Sequence, residues 1–540
     1  MNRAATLDVA RDRRRRAPVP LLVSAFAVTA LVLLPLVYLV VRAAEAESSS
    51  WRLIMRGRTA SLMVHTVGLA AAVTLAATAI GVVFAWLAVR SDLPGRRIWA
   101  TLFALPLVIP SYVGAFTLLS AFGPTGLLQQ ALEPLGVQRV PDITGFWGAF
   151  LALTLFTYPY VYLVAAAGIR GLDPAFEEAG RVSGRSRSSV FRRVTLPLLR
   201  PSIGAGALLV ALYTLHDFGA VSLMRYPTFT QAIFLQYKAA FDRTPAAILS
   251  LILAGLALLV VAAERRARGR ARYFRSGAGS VRPLRPVPLG RWRWPALAAA
   301  AGIVTVALVV PVGMLVYLLI RGVAVGTPLN LTITAAGASA FVSGAGALMA
   351  LLAATPIALL SARYPGRISR SMEQLSYVGY ALPGLVVALA FVFFASSYAP
   401  IVYQSIPLLV VAYVVMFLPQ TAEPVRAGLL QLTPRMEEAA RTLGRRRGRI
   451  LRTIVLPLVA RPALAGCALV FLTTMKELPA TLLLRPTGFE TLSTRVWTSA
   501  SAGLYSRAAV PALLLMVVSS VPLAILARRV GLDVEEVRQD

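Results

Sequence analysis

Twelve blocks of continuously apolar residues constrain the fold of this 540-residue chain more than any other feature. Each block reaches about 20 residues, which is enough for a helix to cross the hydrocarbon core of a bilayer. Lipid offers no partner for open backbone groups, and the blocks show no two-residue alternation, so helices are expected rather than a β-barrel. The predicted spans are 18–41, 62–89, 99–122, 145–169, 203–223, 246–263, 295–320, 332–361, 375–397, 400–419, 463–484 and 507–527.

The composition agrees with a membrane protein. Hydrophobic residues make up 57% of the chain and charged residues only 14%, whereas soluble domains are roughly half apolar and about a quarter charged. These values exclude a soluble globular enzyme and a disordered chain. The single cysteine, Cys467, excludes a disulfide framework and a cysteine-based metal cluster. The predicted fold class is therefore all-α and polytopic.

The basic residues predict the orientation in the membrane. The chain has 54 Lys and Arg against 23 Asp and Glu, a net charge of +31. With the N-terminus inside and the loops alternating, 41 of these 54 residues fall on the inner side. The positive-inside rule then predicts that both termini lie in the cytoplasm. Topology accounts for the charge, so membrane lipid is the expected contact and no nucleic-acid partner is predicted.

The first span needs a separate argument, because it resembles a signal peptide. Basic residues at 13–16 precede it, and Ala44-Glu45-Ala46 follows it like a cleavage site. Its apolar run of roughly 24 residues is longer than the 7–15 usual in signal peptides. We therefore expect an uncleaved first helix.

The chain is predicted to divide into two transmembrane halves joined by a linker rich in Arg, Gly and Pro. The predicted segments are a basic cytoplasmic N-terminus at 1–17, a first half at 18–263, a cytoplasmic linker at 264–294, a second half at 295–527 and a cytoplasmic tail at 528–540.

An internal repeat relates the two halves. The segments 172–198 and 432–458, here called the first and second elbows, are identical at 13 of 27 positions at an offset of 260. Both follow the fourth span of their half, so the halves are expected to share one topology in the same orientation, as six spans each.

The elbows share a local pattern that predicts a helix, a turn and a second short helix ending at Leu-Pro. An N-capping residue is followed by Pro at the first helical position, by two Glu near the helix start and by a Gly suited to a left-handed helix end. Charge pairs at i,i+4 are expected within the first helix. These residues are Asp173, Pro174, Glu177, Glu178, Arg181 and Gly184, and Thr433, Pro434, Glu437, Glu438, Arg441 and Gly444.

This pattern resembles the EAA motif, E-A-A-x3-G-x9-I-x-L-P, of permeases from ATP-binding-cassette (ABC) importers. The second elbow fits it fully, and the first departs from it only at Gly180 and Val194. The matching residues are Glu178, Ala179, Gly180, Gly184, Leu196 and Pro197 in the first elbow, and Glu438, Ala439, Ala440, Gly444, Leu456 and Pro457 in the second.

The resemblance implies a transport subunit rather than an enzyme. In that family each elbow is a coupling helix that docks on a separate ATPase subunit, two per complex, and an extracytoplasmic binding protein delivers the substrate. The sequence has no G-x4-G-K-[S/T] phosphate loop. We therefore expect ATP and magnesium to bind the partner ATPase and this chain to bind no cofactor.

Ionisable residues in the fifth spans are the candidates for the translocation path. His216-Asp217 lies at the repeat offset from Lys476-Glu477, and the two stretches look like those of ferric-iron permeases of the ABC importers. Oxygen donors suit Fe(III), which is a hard cation. An alternative cargo is thiamine or a phosphonate, because permeases for these substrates look similar. An alternative role for the two residue pairs is contact with lipid headgroups and water at the outer helix ends, with no part in transport. No stable metal site is predicted, since His65 and His216 have no second His at ligand spacing.

A proton-coupled secondary transporter is the alternative from a different class. Such proteins usually carry acidic residues deep in their spans, whereas Asp217 and Glu477 lie near predicted span ends. The duplicated elbow would also serve no evident purpose there. Pro106 and Pro383, each in a third span, are expected either to permit bends or to be ordinary tolerated prolines.

Overall fold

The protein is described from a computed structural model. The structure describes residues 17–48, 51–52, 57–239, 243–268, 286–324, 326, 330–432, 436, 440–443 and 445–529. Among these residues all regular secondary structure is helical, apart from one isolated β-bridge between Ser91 and Val287.

The helices of the first half follow the predicted order, with short breaks inside the third and fifth spans. They are α1 (Val19–Ala44), α2 (Gly57–Arg90), α3 (Arg96–Ala104), α4 (Ser111–Phe122), α5 (Leu127–Leu132), α6 (Phe146–Arg170), α7 (Pro174–Val182), α8 (Arg187–Val190), α9 (Leu196–His216), α10 (Gly219–Leu223), α11 (Phe229–Ala239) and α12 (Thr244–Arg268).

The second half repeats this order. Its helices are α13 (Arg293–Val304), α14 (Val310–Ala324), α15 (Asn330–Arg363), α16 (Arg367–Ser376), α17 (Val378–Ala381), α18 (Gly384–Tyr398), α19 (Ile406–Gln431), α20 (Arg447–Ile450), α21 (Leu456–Met475), α22 (Pro479–Leu484), α23 (Leu492–Ser501) and α24 (Tyr505–Arg529).

The predicted membrane helices are present in the described part of the chain. Nine helices are long and apolar enough to cross a bilayer, and two bent helix pairs raise this number to eleven. The twelfth predicted span, 507–527, corresponds to α24, which contains the apolar stretch Tyr505–Ser520. The all-helical fold class is therefore confirmed.

Both third spans are broken at matching places. The chain bends by 97° between Val108 and Ser111 and by 99° between Ala381 and Gly384. Proline has no N–H and cannot continue the hydrogen-bond ladder of a preceding helix. The bend predicted at Pro383 is present, but in the first half it lies at Pro110, while Pro106 sits in a short 3-10 turn before it.

The elbows pass into the fifth spans without a stop, which corrects the prediction that the second short helix ends at Leu-Pro. π-helical turns at Phe191–Thr195 and Leu451–Val455 lead directly into α9 and α21. Each turn immediately precedes the Leu-Pro pair. A wider turn with i→i+5 bonds accommodates a proline that cannot donate a hydrogen bond.

Within each half, the second, fourth and fifth spans pack into one bundle: α2, α6 and α9 in the first half, and α15, α19 and α21 in the second. Glycines allow the close approach. A Cβ on Gly81 or Gly206 would lie 2.7 Å or 2.8 Å from Val161 on α6. At the repeat position, a Cβ on Gly466 would lie 3.0 Å from the Cα of Thr421. Small residues at helix contacts are the usual means of tight packing in membranes.

The two halves interlock through their first spans. α1 packs against α15, α16 and α18 of the second half, and α14 packs against α4 of the first. The hydroxyl of Tyr38 donates to the carbonyl of Phe393 at 3.4 Å, and the rings of Phe116 and Tyr505 stack across the interface. The fifth spans and the third-span breaks of both halves line one cavity between the halves.

Candidate functional site: a central cavity and a cytoplasmic elbow

A cavity of about 450 Å3 lies between the two halves. Its walls come from the third, fourth and fifth spans of each half, including both third-span breaks. All four candidate path residues line it: His216, Asp217, Lys476 and Glu477. α9 stops at His216 and α21 at Met475, several residues before the predicted ends of the fifth spans at 223 and 484. The four side chains nevertheless border space inside the protein.

The side chain of Asp217 binds the first turn of the short helix α10. Its Oδ1 accepts hydrogen bonds from the backbone N–H groups of Ala220 at 2.9 Å and Val221 at 3.2 Å. Its Oδ2 accepts from the hydroxyl of Ser111, the first residue after the break of the third span. Tyr213 in turn donates to Ser111 Oγ at 3.2 Å. These contacts satisfy a buried carboxylate, as burial of such a group requires.

Glu477 has the matching position in the second half. Its Oε1 accepts from the N–H of Ala480 at 3.1 Å at the start of α22. The first residue after the second break is Gly384, and a Cβ there would lie 2.6 Å from Glu477 Oε1. The shorter Asp therefore faces a serine, whereas the longer Glu fills the space left by a glycine.

His216 and Lys476 reach across to the opposite half. Lys476 Nζ donates to the carbonyl oxygen of Leu107 at 2.9 Å. His216 Nε2 lies 3.2 Å from the carbonyl oxygen of Ala381 and donates to it, since a carbonyl can only accept. Each contact therefore joins the fifth span of one half to the third-span break of the other.

Tyrosines form a part of the cavity wall that the sequence analysis missed. Tyr112, Tyr160, Tyr213 and Tyr380 all line the cavity. An aromatic residue within an apolar span is read as packing, and nothing in the local pattern separates these tyrosines from the others. In the described part of the chain, no three His, Cys, Asp or Glu residues lie close enough together to hold a metal ion.

The first elbow has the predicted helix-and-turn geometry. Asp173 accepts from the N–H of Ala175 at 3.0 Å, with Pro174 at the first position of α7. Gly184 has a φ of +76°, a left-handed conformation that favours glycine. Glu178 and Ala179 are exposed, and Gly180 lies against Val190.

The ion-pair partner of Glu177 differs from the one predicted for this elbow. The sequence suggests a pair with Arg181, but Glu177 forms its ion pair with Arg90 at the end of α2. Thr195, in the π-helical turn, donates to the other carboxylate oxygen at 2.9 Å. A partner 87 residues away has no signal in the local pattern, which is why the sequence analysis assigned Arg90 only to topology.

The second elbow is described in part. Glu438, Ala439 and Gly444, as well as Glu437 of the predicted pair with Arg441, lie outside the described residues. Ala440 is buried, and Leu456 and Pro457 begin α21.

The same backbone hydrogen bond occurs within each of the two elbows. The N–H of Arg445 donates to the carbonyl of Ala440 at 3.1 Å, as that of Arg185 does to Gly180 at 3.3 Å in the first elbow. Both the donors, Arg185 and Arg445, and the acceptors, Gly180 and Ala440, are related by the repeat offset of 260 residues.

Comparison with known sequences decides the family. The family described as "Binding-protein-dependent transport system inner membrane component" matches residues 77–273 and 354–534, once in each half. The chain belongs to this family. It is therefore a multi-pass permease of the inner membrane and a transport subunit of an ABC importer, as the elbows suggested. ATP is used by a partner ATPase, and membership also implies a substrate-binding protein as partner.

Individual relatives cover different amounts of this permease. The "Fe(3+)-transport system permease protein FbpB 2" of Haemophilus influenzae is 34% identical over 92% of this chain and 95% of its own length. The "Probable ABC transporter permease protein y4fN" of Sinorhizobium fredii is 26% identical over 78% of both chains. The "Sulfate transport system permease protein CysT" of Salmonella typhimurium is 28% identical over 43% of this chain and 84% of its own.

Proposed function

We propose that this importer permease carries iron(III), delivered by an extracytoplasmic binding protein, through the central cavity into the cytoplasm. The observation that carries the proposal is the chemistry of the cavity wall. Its described charged side chains are two carboxylates and one ammonium, Asp217, Glu477 and Lys476, accompanied by the tyrosine hydroxyls. A hard trivalent cation is suited to such oxygen donors, whereas an oxyanion would meet an excess of negative charge.

The sequence comparison supports the same cargo. The Haemophilus influenzae relative, named as an Fe(3+) permease, aligns with both halves of the chain. The sulfate permease aligns with less than half of it. A fused two-half chain with two carboxylates in the cavity is thus favoured for iron over sulfate or a phosphonate.

Thiamine is the second candidate, because it too is a cation. The cavity volume of about 450 Å3 and its four tyrosines would suit an aromatic heterocycle. Family membership removes the proton-coupled secondary transporter as an alternative.

Uptake in cells lacking this chain distinguishes these cargoes. Re-expression should restore accumulation of radiolabelled iron and should leave thiamine and phosphonate uptake unchanged. The variant Glu477→Gln, which keeps the side-chain length, should reduce iron uptake by about tenfold if the carboxylate favours a cation. Restoration of thiamine uptake alone would replace iron with the second candidate.

We infer further that both elbows and both termini are cytoplasmic and that two ATPase subunits dock on the elbows. Large apolar side chains are exposed on both elbows: Val182 is 89% exposed and Leu443 80%. Together with Phe176, 46% exposed, and Met436, 44% exposed, on the same elbows, we take them as the apolar part of the surface that each ATPase subunit covers. The charge reversals Glu178→Arg and Glu438→Arg, combined, should abolish co-purification of the ATPase or uncouple it from transport. Normal co-purification and transport would show that the elbows are not the docking surface.

A further inference from the structure

We propose that Lys476 and His216 are positioning residues for transport, which brace the two halves against each other at the third-span breaks and must release when cargo passes. The inference is independent of the identity of the cargo. It concerns the two hydrogen bonds that cross the cavity, from Lys476 to Leu107 and from His216 to Ala381, here called the brace.

The acceptors of the brace arise from the breaks themselves. In a continuous helix, the carbonyls of Leu107 and Ala381 would accept from the N–H groups four residues later. The chain instead turns to an extended conformation at Ile109 and Leu382, ahead of Pro110 and Pro383. A carbonyl without its helical partner inside a membrane protein requires another donor. The ammonium of Lys476 and the imidazole of His216 supply those donors.

The brace is built twice and in opposite directions. Lys476 belongs to the second half and binds a carbonyl of the first, and His216 belongs to the first half and binds a carbonyl of the second. The two donors lie at the repeat offset of 260 residues. Separation of the halves at this level must therefore break both bonds, whichever half moves. Alternating access in transporters built from repeats consists largely of such relative motion.

The neighbouring carboxylates hold the donors in place. Asp217 and Glu477 follow the donors directly, and their side chains are fixed by hydrogen bonds from backbone N–H groups in the first turns of α10 and α22. Their backbone carbonyls are fixed as well, since Thr230 donates to that of Asp217 at 2.7 Å and Ser493 to that of Glu477 at 3.0 Å. Each donor thus leaves from a rigid helix end and has a defined direction across the cavity.

The first test removes the donors but keeps the side-chain volume. The permease is reconstituted with its ATPase and binding protein, and ATP hydrolysis is measured with and without the binding protein. Lys476→Met and His216→Leu, alone and combined, should raise hydrolysis without binding protein at least threefold and should lower its stimulation. Lys476→Arg and His216→Gln retain a donor, so their hydrolysis without binding protein should stay close to that of the wild type. Lys238→Met, a change of the other lysine in the chain, should have no effect.

A merely structural role would give a different result, because lost assembly lowers hydrolysis in both conditions together. If the combined Lys476→Met/His216→Leu variant assembles and keeps wild-type hydrolysis in both conditions, the brace does not exist as proposed.

A second set of variants leaves both donors intact and decides the matter if the first set does not assemble. Gly384→Ser alone crowds Glu477, because a Cβ there would lie 2.6 Å from its Oε1. It should displace Lys476 and raise hydrolysis without binding protein. Gly384→Ser combined with Glu477→Asp copies the Ser111–Asp217 arrangement and should restore low hydrolysis. Equal hydrolysis for the single and double variants would overturn the proposal.

Discussion

Arg90, the last residue of α2, forms an ion pair with Glu177 in the first turn of the elbow helix α7. The side chains are only 10% and 14% exposed. The carbonyl of Arg90 also accepts from the N–H of Val287 at 2.7 Å, and Asp92 accepts from the N–H of Leu289 at 2.8 Å. The second span, the first elbow and the described end of the linker thus meet at one residue.

Removal of Arg90 should destabilise the permease more than removal of the partner that the sequence suggests. Arg90→Met leaves a nearly buried carboxylate without its cation, and we expect a loss of about 2–3 kcal/mol. The exposed Arg181 is the matched control, and Arg181→Met should change stability by less than about 0.5 kcal/mol. Thermal unfolding in detergent measures both. An equal or larger loss for Arg181→Met would show that Glu177 pairs within its own helix.

The turn of the first elbow depends on a left-handed residue. At Gly184, with a φ of +76°, a valine should cost roughly 1–2 kcal/mol of local strain. Gly184→Val should therefore reduce uptake and ATPase co-purification while the chain still inserts normally. Gly171→Val is the matched control, since Gly171 has a φ of −80°. Equal losses at the two positions would trace the effect to side-chain bulk and not to the turn.

Close helix packing in the first half should fail selectively at Gly206. A Cβ there would lie 2.8 Å from the Cα of Val161, whereas a Cβ on Gly204, on the same helix, meets nothing within 4 Å. Gly206→Ala should cost about 1–3 kcal/mol because backbone atoms must shift, and Gly204→Ala should be neutral or slightly stabilising. Comparable unfolding temperatures for the two variants would contradict the close approach of α9 and α6.

The orientation in the membrane is tested with single cysteines in a Cys467→Ala background. Ser183→Cys and Arg445→Cys, at exposed positions of the two elbows, should resist impermeant reagents added to intact cells. Ile401, which is 95% exposed, lies between α18 and α19, on the side of the membrane opposite to the elbows in the predicted topology. Ile401→Cys should therefore react. Reaction of either elbow position before cell lysis would invert the predicted topology.

Much of the fold was predictable because its determinants are local. Apolar blocks of membrane length specify helices in any order, and the Asp173-Pro174 start and Gly184 end of α7 follow from backbone chemistry within one turn. The repeat offset extended that information from one half to the other. These features need no knowledge of the distant packing.

The rest depends on tertiary contacts that the sequence does not display. In the first half, the third span breaks at Pro110 rather than at Pro106. Both prolines lack an N–H and could equally interrupt a helix, so the local sequence does not distinguish them. The predicted fifth span at 203–223 contains the end of α9 and the separate helix α10, because the side chain of a buried Asp217 binds the first turn of a new helix there. The cross-half bonds of the cavity and the Arg90–Glu177 pair likewise arise only when the spans assemble.

Transport by the purified system tests most directly the proposal that the central cavity carries a cation. The permease is reconstituted in liposomes with its ATPase and its binding protein, and uptake of radiolabelled iron(III) is measured beside radiolabelled thiamine, a phosphonate and sulfate. We predict iron uptake that requires ATP and the binding protein, is at least tenfold faster than uptake of the other three, and falls with Glu477→Gln. ATP-dependent uptake of an anion without uptake of iron would contradict the account.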